Sequence, residues 1–136
     1  MRDLKQKYLR ILGVELEDLK EDVAQLIEGL TQRWHGEEIT DYVFLENLAF
    51  FKNEILGTDD LMRDISVVNP ESFASLEELI DHLSTRVTLH IRDHDLPLAL
   101  CELVQRKLDK VRRYVLEQQE VPFHFRTGKY EETRPL

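Results

Sequence analysis

A single cysteine, Cys101, is all the thiol chemistry this sequence has, and one thiol cannot close an internal disulfide. That excludes a stapled scaffold and fits a reducing compartment, so the expected location is the cytoplasm. Glycine and proline are scarce, at five and four of 136 residues, which leaves few of the tight turns that a β-rich chain needs. Long apolar runs are missing too: no stretch approaches the ~20 residues of a membrane span. In residues 1–13 the cations Arg2, Lys5, Lys7 and Arg10 break up any continuous apolar segment of the kind a signal peptide carries. Membrane partners are therefore not expected. Glycine-rich phosphate loops, Gly-x-Ser-x-Gly, His-Glu-x-x-His and Cys-x-x-Cys patterns are also absent. No catalytic residue and no cofactor is assigned, and the case for an enzyme weakens accordingly.

Positive charge is in short supply as well. Lys and Arg number 18 against 27 Asp and Glu, a net charge of −9. The deficit is concentrated in residues 1–80, which hold 8 basic and 18 acidic side chains, while residues 81–136 hold 10 and 9. A polyanion is a poor partner for such a surface, because phosphate binding needs a field of opposite sign. Nucleic acid is not expected to bind.

What the chain does have is helical pattern. Its hydrophobic fraction is 42%, enough for a core, and no repeat or low-complexity tract interrupts it. Leu4, Tyr8, Ile11 and Leu12 start a stripe that reaches Gly13, read as a stop or bend. Leu16, Leu19, Val23, Leu26, Leu30 and Trp34 carry a second stripe, with Gly36 as its left-handed end. A helix from about Glu37 to Leu56 follows, with Gly57 as its stop and Thr58 as the N-cap of a short helix bearing Leu61, Met62 and Ile65. Asn69-Pro70 marks a loop, since residues before proline avoid the helical well. Ser75 with Glu78 has capping-box spacing and opens the next helix, whose stripe runs Leu76, Ile80, Leu83, Val87, His90, Ile91 and His94. After a turn at Arg92–Asp95, with Asp95 capping and Pro97 in the first turn, the last helix places Leu100 or Cys101, Val104, Leu108, Val111 and Val115 on one face and ends near Gln119. The expected fold is all-α: a four-helix-bundle-like domain over residues 1–119, with antiparallel helices, one or two short extra helices and an irregular tail at 120–136.

Within this pattern, Tyr42 to Leu56 stands apart. Phe44, Leu48, Phe51 and Ile55 form one stripe, Tyr42, Leu45, Ala49 and Leu56 a second, and Val43 with Phe50 a third line. A helix apolar on nearly every side is normally buried among its neighbours, so the segment is expected to be the central helix of the bundle or one shared with a partner. Val43, Phe44, Phe50 and Phe51 are the candidate interaction residues, joined by Phe123 and Phe125 of the tail, whose alternation would suit docking into another chain or folding back over the end of their own bundle.

Two further groups carry potential chemistry. His90 and His94 stand i, i+4 on one face, the spacing at which two imidazoles can share a metal ion. Two ligands make no site, and a third from Glu46 or Glu54 rests on no pattern. Arg106, Lys110 and Arg113, flanked by Lys107 and Arg112, line the last helix; they could bind an anion or an acidic partner, but the expectation is a solvated face or one that neutralises Glu17, Glu21 and Glu28 across a helix pair. Cys101 lies at an apolar helical position with no base fixed beside it and reads as a small hydrophobe. The expected function is that of a small acidic module, regulatory or adaptor- and chaperone-like, working through contact with a protein partner or with itself as a homodimer. The alternative is a metal-binding bundle or enzyme built on His90 and His94 with carboxylates from a neighbouring helix.

Overall fold

In a computed structural model that describes residues 4–120, the chain folds as four long helices: α1 (Leu4–His35), α2 (Asp41–Val67), α3 (Leu76–Asp93) and α4 (Leu98–Glu120), with a one-turn 3-10 helix at Pro70–Ser72 between α2 and α3. Among the described residues there is no strand. Side-chain contacts fix the direction of each helix. Lys20 on α1 pairs with Asp59 on α2 at 2.6 Å, and the Trp34 ring stacks on Phe44 at 4.2 Å. Arg86 on α3 meets Asp64 on α2 at 3.1 Å, and Ser84 meets Gln105 on α4 at 2.8 Å. Tyr8 closes the circuit by donating from its hydroxyl to the Leu108 carbonyl at 2.9 Å. Neighbours are antiparallel throughout, so the chain forms an up-down-up-down four-helix bundle, the all-α architecture its periodicity predicts.

The core follows from the stripes. Tyr8, Leu12 and Leu16 meet Leu79, Leu83 and Val87 of α3 and Leu100, Val104, Leu108, Val111 and Val115 of α4. Burying each such side chain contributes roughly 1.5–3 kcal/mol before the entropy of ordering it is subtracted. One acidic residue enters this face. Glu15, 1% exposed, receives Lys107 at 3.3 Å and Lys110 at 3.2 Å from α4. Of the basic residues, Lys107 and Lys110 thus meet α1, through Glu15 rather than Glu17, Glu21 or Glu28, while Arg112 reaches Glu77 on α3 at 2.7 Å and Arg113 pairs with Asp109 on its own helix.

Helix ends obey local chemistry, with two corrections. Ser75 accepts from the Glu78 N–H at 3.2 Å, so the expected N-cap forms, while the Glu78 carboxylate reaches back to the Ala74 N–H at 3.2 Å, one residue before the partner a strict capping box uses. Gly36 does not take the left-handed position at the end of α1: Glu37 does, with φ 61°. The backbone bonds Glu38 N–H to Arg33 O and Glu37 N–H to Trp34 O put the turn one residue later than glycine implies, and they satisfy the last carbonyls whichever residue bends. Asp95 likewise does not cap α4. It takes the left-handed position, φ 52°, after α3, with Leu96 N–H bonded to Ile91 O and Asp95 N–H to Arg92 O. Pro97 lies just before α4 rather than in its first turn.

Two glycines read as breaks are not breaks. α1 runs unbroken through Gly13, and α2 runs unbroken through Gly57 from its N-cap at Thr40, whose side chain accepts from Val43 N–H. Thr58 caps nothing; its hydroxyl donates to the Glu54 carbonyl at 2.8 Å inside the helix. Gly57 serves packing instead, since a Cβ there would stand 2.7 Å from Leu100 Cδ2.

Unbroken, α1 and α2 are longer than their neighbours. At 1.5 Å per residue they measure about 48 and 40 Å, against about 27 and 35 Å for α3 and α4. The α3–α4 turn ends level with Gly57, where Leu96 and Leu100 pack. Beyond that level Val23–His35 and Asp41–Leu56 continue as a two-helix overhang about 24 Å long. The segment expected at the centre of the bundle is therefore this overhang, with α1 as its neighbour: Tyr42 is 68% exposed, Leu45 60% and Leu56 57%. Of α2, Leu61 is the apolar residue that joins the main core fully buried. The rule that an all-round apolar helix is buried assumes neighbours on all sides, and here they stop short.

Candidate interaction face on the overhanging hairpin

The overhang is held together along one line. Trp34 lies flat on Phe44, with an interplanar angle of 8°, and its indole N–H donates to Asp41 at 2.8 Å, pinning the tip of the hairpin. Val23 and Leu30 of α1 are buried with Phe44, yet none of the three belongs to the main core. Pairing of Trp34 with Phe44, Lys20 with Asp59 and Gly13 with Ile65 shows that each step along α1 is matched by a step back along α2.

Beside that seam lies a groove of about 550 Å³, open to solvent. Its apolar lining is Leu26, Leu30, Ile39, Val43 and Phe51. Helical spacing puts this face in register with the core below, since Leu26 continues the line of Tyr8, Glu15 and Leu19 along α1. The groove is thus the direction in which α3 and α4 would lie if they were longer. Its polar members are the amides of Gln25, Gln32 and Asn47, and among the described residues lining it Arg33 alone is charged. Asn47 donates to the Val43 carbonyl at 2.8 Å, so its amide is held against its own helix. One turn beyond Phe51 on the same face, Glu54 is 7% exposed, and burial raises its carboxyl pKa above the ordinary range. No described side chain pairs with its carboxylate.

The sequence-derived candidates divide. Val43 and Phe51 line the groove, Phe44 is buried in the seam, and Phe50 is half-buried with its ring edge-on to Phe51 at 6.0 Å. Phe123 and Phe125 lie outside the described residues. Leu26, Gly29, Ile39, Asn47 and Glu54 belong to the face as well and were missed. The signal that locates them is length: read through Gly13 and Gly57, α1 and α2 outrun the two later helices.

The histidines are brought together elsewhere, at the α2–α3 seam. Their rings stand 4.1 Å apart, His90 rests against the Asp60 carboxylate, and His94 Nδ1 lies 3.1 Å from the His90 carbonyl. His94 is exposed at the C-cap of α3, not in the apolar stripe. Burial, with His94 second, pushes the His90 pKa below its ordinary value. Among the described residues no group of three His, Cys, Asp or Glu converges in a way that could hold a metal ion. Cys101 is half-buried at the core edge.

No described helix is long and apolar enough to cross a membrane. No family model, curated protein or solved structure matches this chain.

Proposed function

We propose that this chain is a protein-interaction module, regulatory or adaptor-like in role, and that it binds through the overhanging α1–α2 hairpin. The observation that carries the reading is the open groove between Leu26 and Val43, an unfinished length of bundle core without α3 or α4 over it. Contiguous apolar surface on a chain that is otherwise strongly charged marks a binding face. An amphipathic helix or helical pair is the complementary shape, because such a groove accepts apolar side chains at i, i+3, i+4 and i+7. Diluted until its mass is that of one chain, the protein is expected to enhance the fluorescence of an anionic hydrophobic dye. Val43→Glu, at an exposed position, is expected to abolish that enhancement while the helical circular dichroism stays unchanged. A folded monomer that leaves the dye dark contradicts the reading.

A further inference from the structure

We infer that the overhang's partner is a second copy of this chain, docked antiparallel about a two-fold axis so that the two hairpins complete one intermolecular four-helix bundle. The inference rests on the interaction reading above and names its occupant. Three features of the molecule carry it.

The first is shape. Below Gly57 the open face is closed by the α3–α4 turn, so a partner can extend only as far as that turn. A second hairpin running the opposite way fits that limit by symmetry, because its tip at 36–40 reaches the turn of the first copy just as its own turn receives the other tip. A parallel copy would drive its α3 and α4 into positions already occupied. Each overhang is about 24 Å long and two helices, about 20 Å, wide, so the pair buries on the order of 1,000 Å² in total, the threshold of a biological interface and the size of a weak, reversible one.

The second is charge. A chain of net charge −9 repels itself, yet its groove is lined by amides and Arg33 and by no carboxylate. A dyad near the level of Ala49 exchanges the level of Glu54 with that of Phe44 and Trp34. It therefore carries Arg33 of one copy, which within its own chain reaches the exposed Glu38 at 3.6 Å, to the level of Glu54 in the other, a buried carboxylate that pairs with no described side chain. Two such pairs form by symmetry.

The third is Gly29. Glycine inside a helix costs about 1 kcal/mol relative to alanine, and within one chain nothing requires it here: a Cβ on Gly29 would meet no atom within 4 Å. Gly29 lines the groove at the level of the dyad, where two α1 helices would cross, and a residue without a side chain lets them approach closely.

Phe123 and Phe125, the tail residues expected to dock, cannot cover this groove from within their own chain. α4 ends at Glu120 near the N-terminal end of α1, and the few residues to Phe123 and Phe125 span at most about 18 Å. The overhang begins about 28 Å away, at Val23.

The test uses the full chain with Cys101→Ser and one new thiol. Sedimentation equilibrium at micromolar concentration is expected to return twice 16.1 kDa. Mild oxidation is expected to link Gly29→Cys into a covalent dimer, because its symmetry mate lies within disulfide reach, and to leave Gly36→Cys at the tip unlinked. Val43→Glu is expected to raise the dissociation constant at least about tenfold. A monomer at all concentrations overturns the dimer: if it still lights the dye, the open face stands and its partner is another helical protein, and if it leaves the dye dark, both readings fall. A dimer that links through Gly36→Cys instead of Gly29→Cys, or that ignores Val43→Glu, also overturns the antiparallel arrangement.

Discussion

Glu15 shows how one residue can set register at little gain in stability. Its carboxylate sits in the core face of α1 with Lys107 and Lys110 on it, and its Oε2 finds no hydrogen-bond partner among the described residues. Removing two charges from water costs about what their attraction returns, so an apolar replacement of similar size is tolerated, whereas an orphaned charge is not. Glu15→Leu is therefore expected to leave the unfolding free energy unchanged or higher. Lys107→Met with Lys110→Met, which strands the carboxylate, is expected to lower it by ~3 kcal/mol, and urea denaturation of the two variants checks the asymmetry. Residue identity alone could not reveal this pairing. A basic stripe on α4 and acids on α1 were legible, but the partner was sought among Glu17, Glu21 and Glu28 because a carboxylate in an apolar face runs against the usual pattern. Gly13 and Gly57, read as breaks, were misread for a similar reason. Gly13, Gly29 and Gly57 look alike in sequence, yet one meets an ordinary contact with Ile65, one meets open space and one admits Leu100; only tertiary packing separates them.

At the scale of the element, helix existence and helix ends were legible wherever side chains write them locally. The Ser75 N-cap and the apolar stripe of α4 formed as read, and that of α3 did so as far as Ile91, with His94 falling outside it. Helix length was not, because splitting α1 and α2 at glycine made all the helices look equal and hid the overhang. α2 consequently has two regimes: near Leu61 it joins a core, and from Asp41 to Leu56 it leans on α1. Glu54 sits where the regimes meet. Burial raises its carboxyl pKa, so the folded chain binds more protons than the unfolded chain between the ordinary carboxylate value and the raised one. Stability of the dilute monomer therefore increases as pH falls through that window, and the penalty is present in full above it. Glu54→Gln is expected to raise Tm at pH 7, with the difference from wild type shrinking towards zero as pH approaches the ordinary carboxylate range. A difference independent of pH would show that burial of the charge is not the cause.

Across the whole molecule, a bundle with two long and two short helices is stable at one end and unfinished at the other. The main core joins all four helices, whereas the overhang has the Trp34–Phe44 stack and a single helix–helix seam. The same unfinished length is the proposed binding face, so on that proposal association and local stability are one property. The fold class was readable from hydrophobic period alone; the site was readable as an excess of apolar residues but not as a place, since where neighbours end is a fact of the assembled bundle. Amide hydrogen exchange followed across a dilution series tests this most directly. The expected result is that amides of residues 24–34 and 44–56 exchange far faster than those of the core in dilute protein, and slow with rising concentration while the core stays constant. Protection of the overhang that equals the core at every concentration would contradict the account.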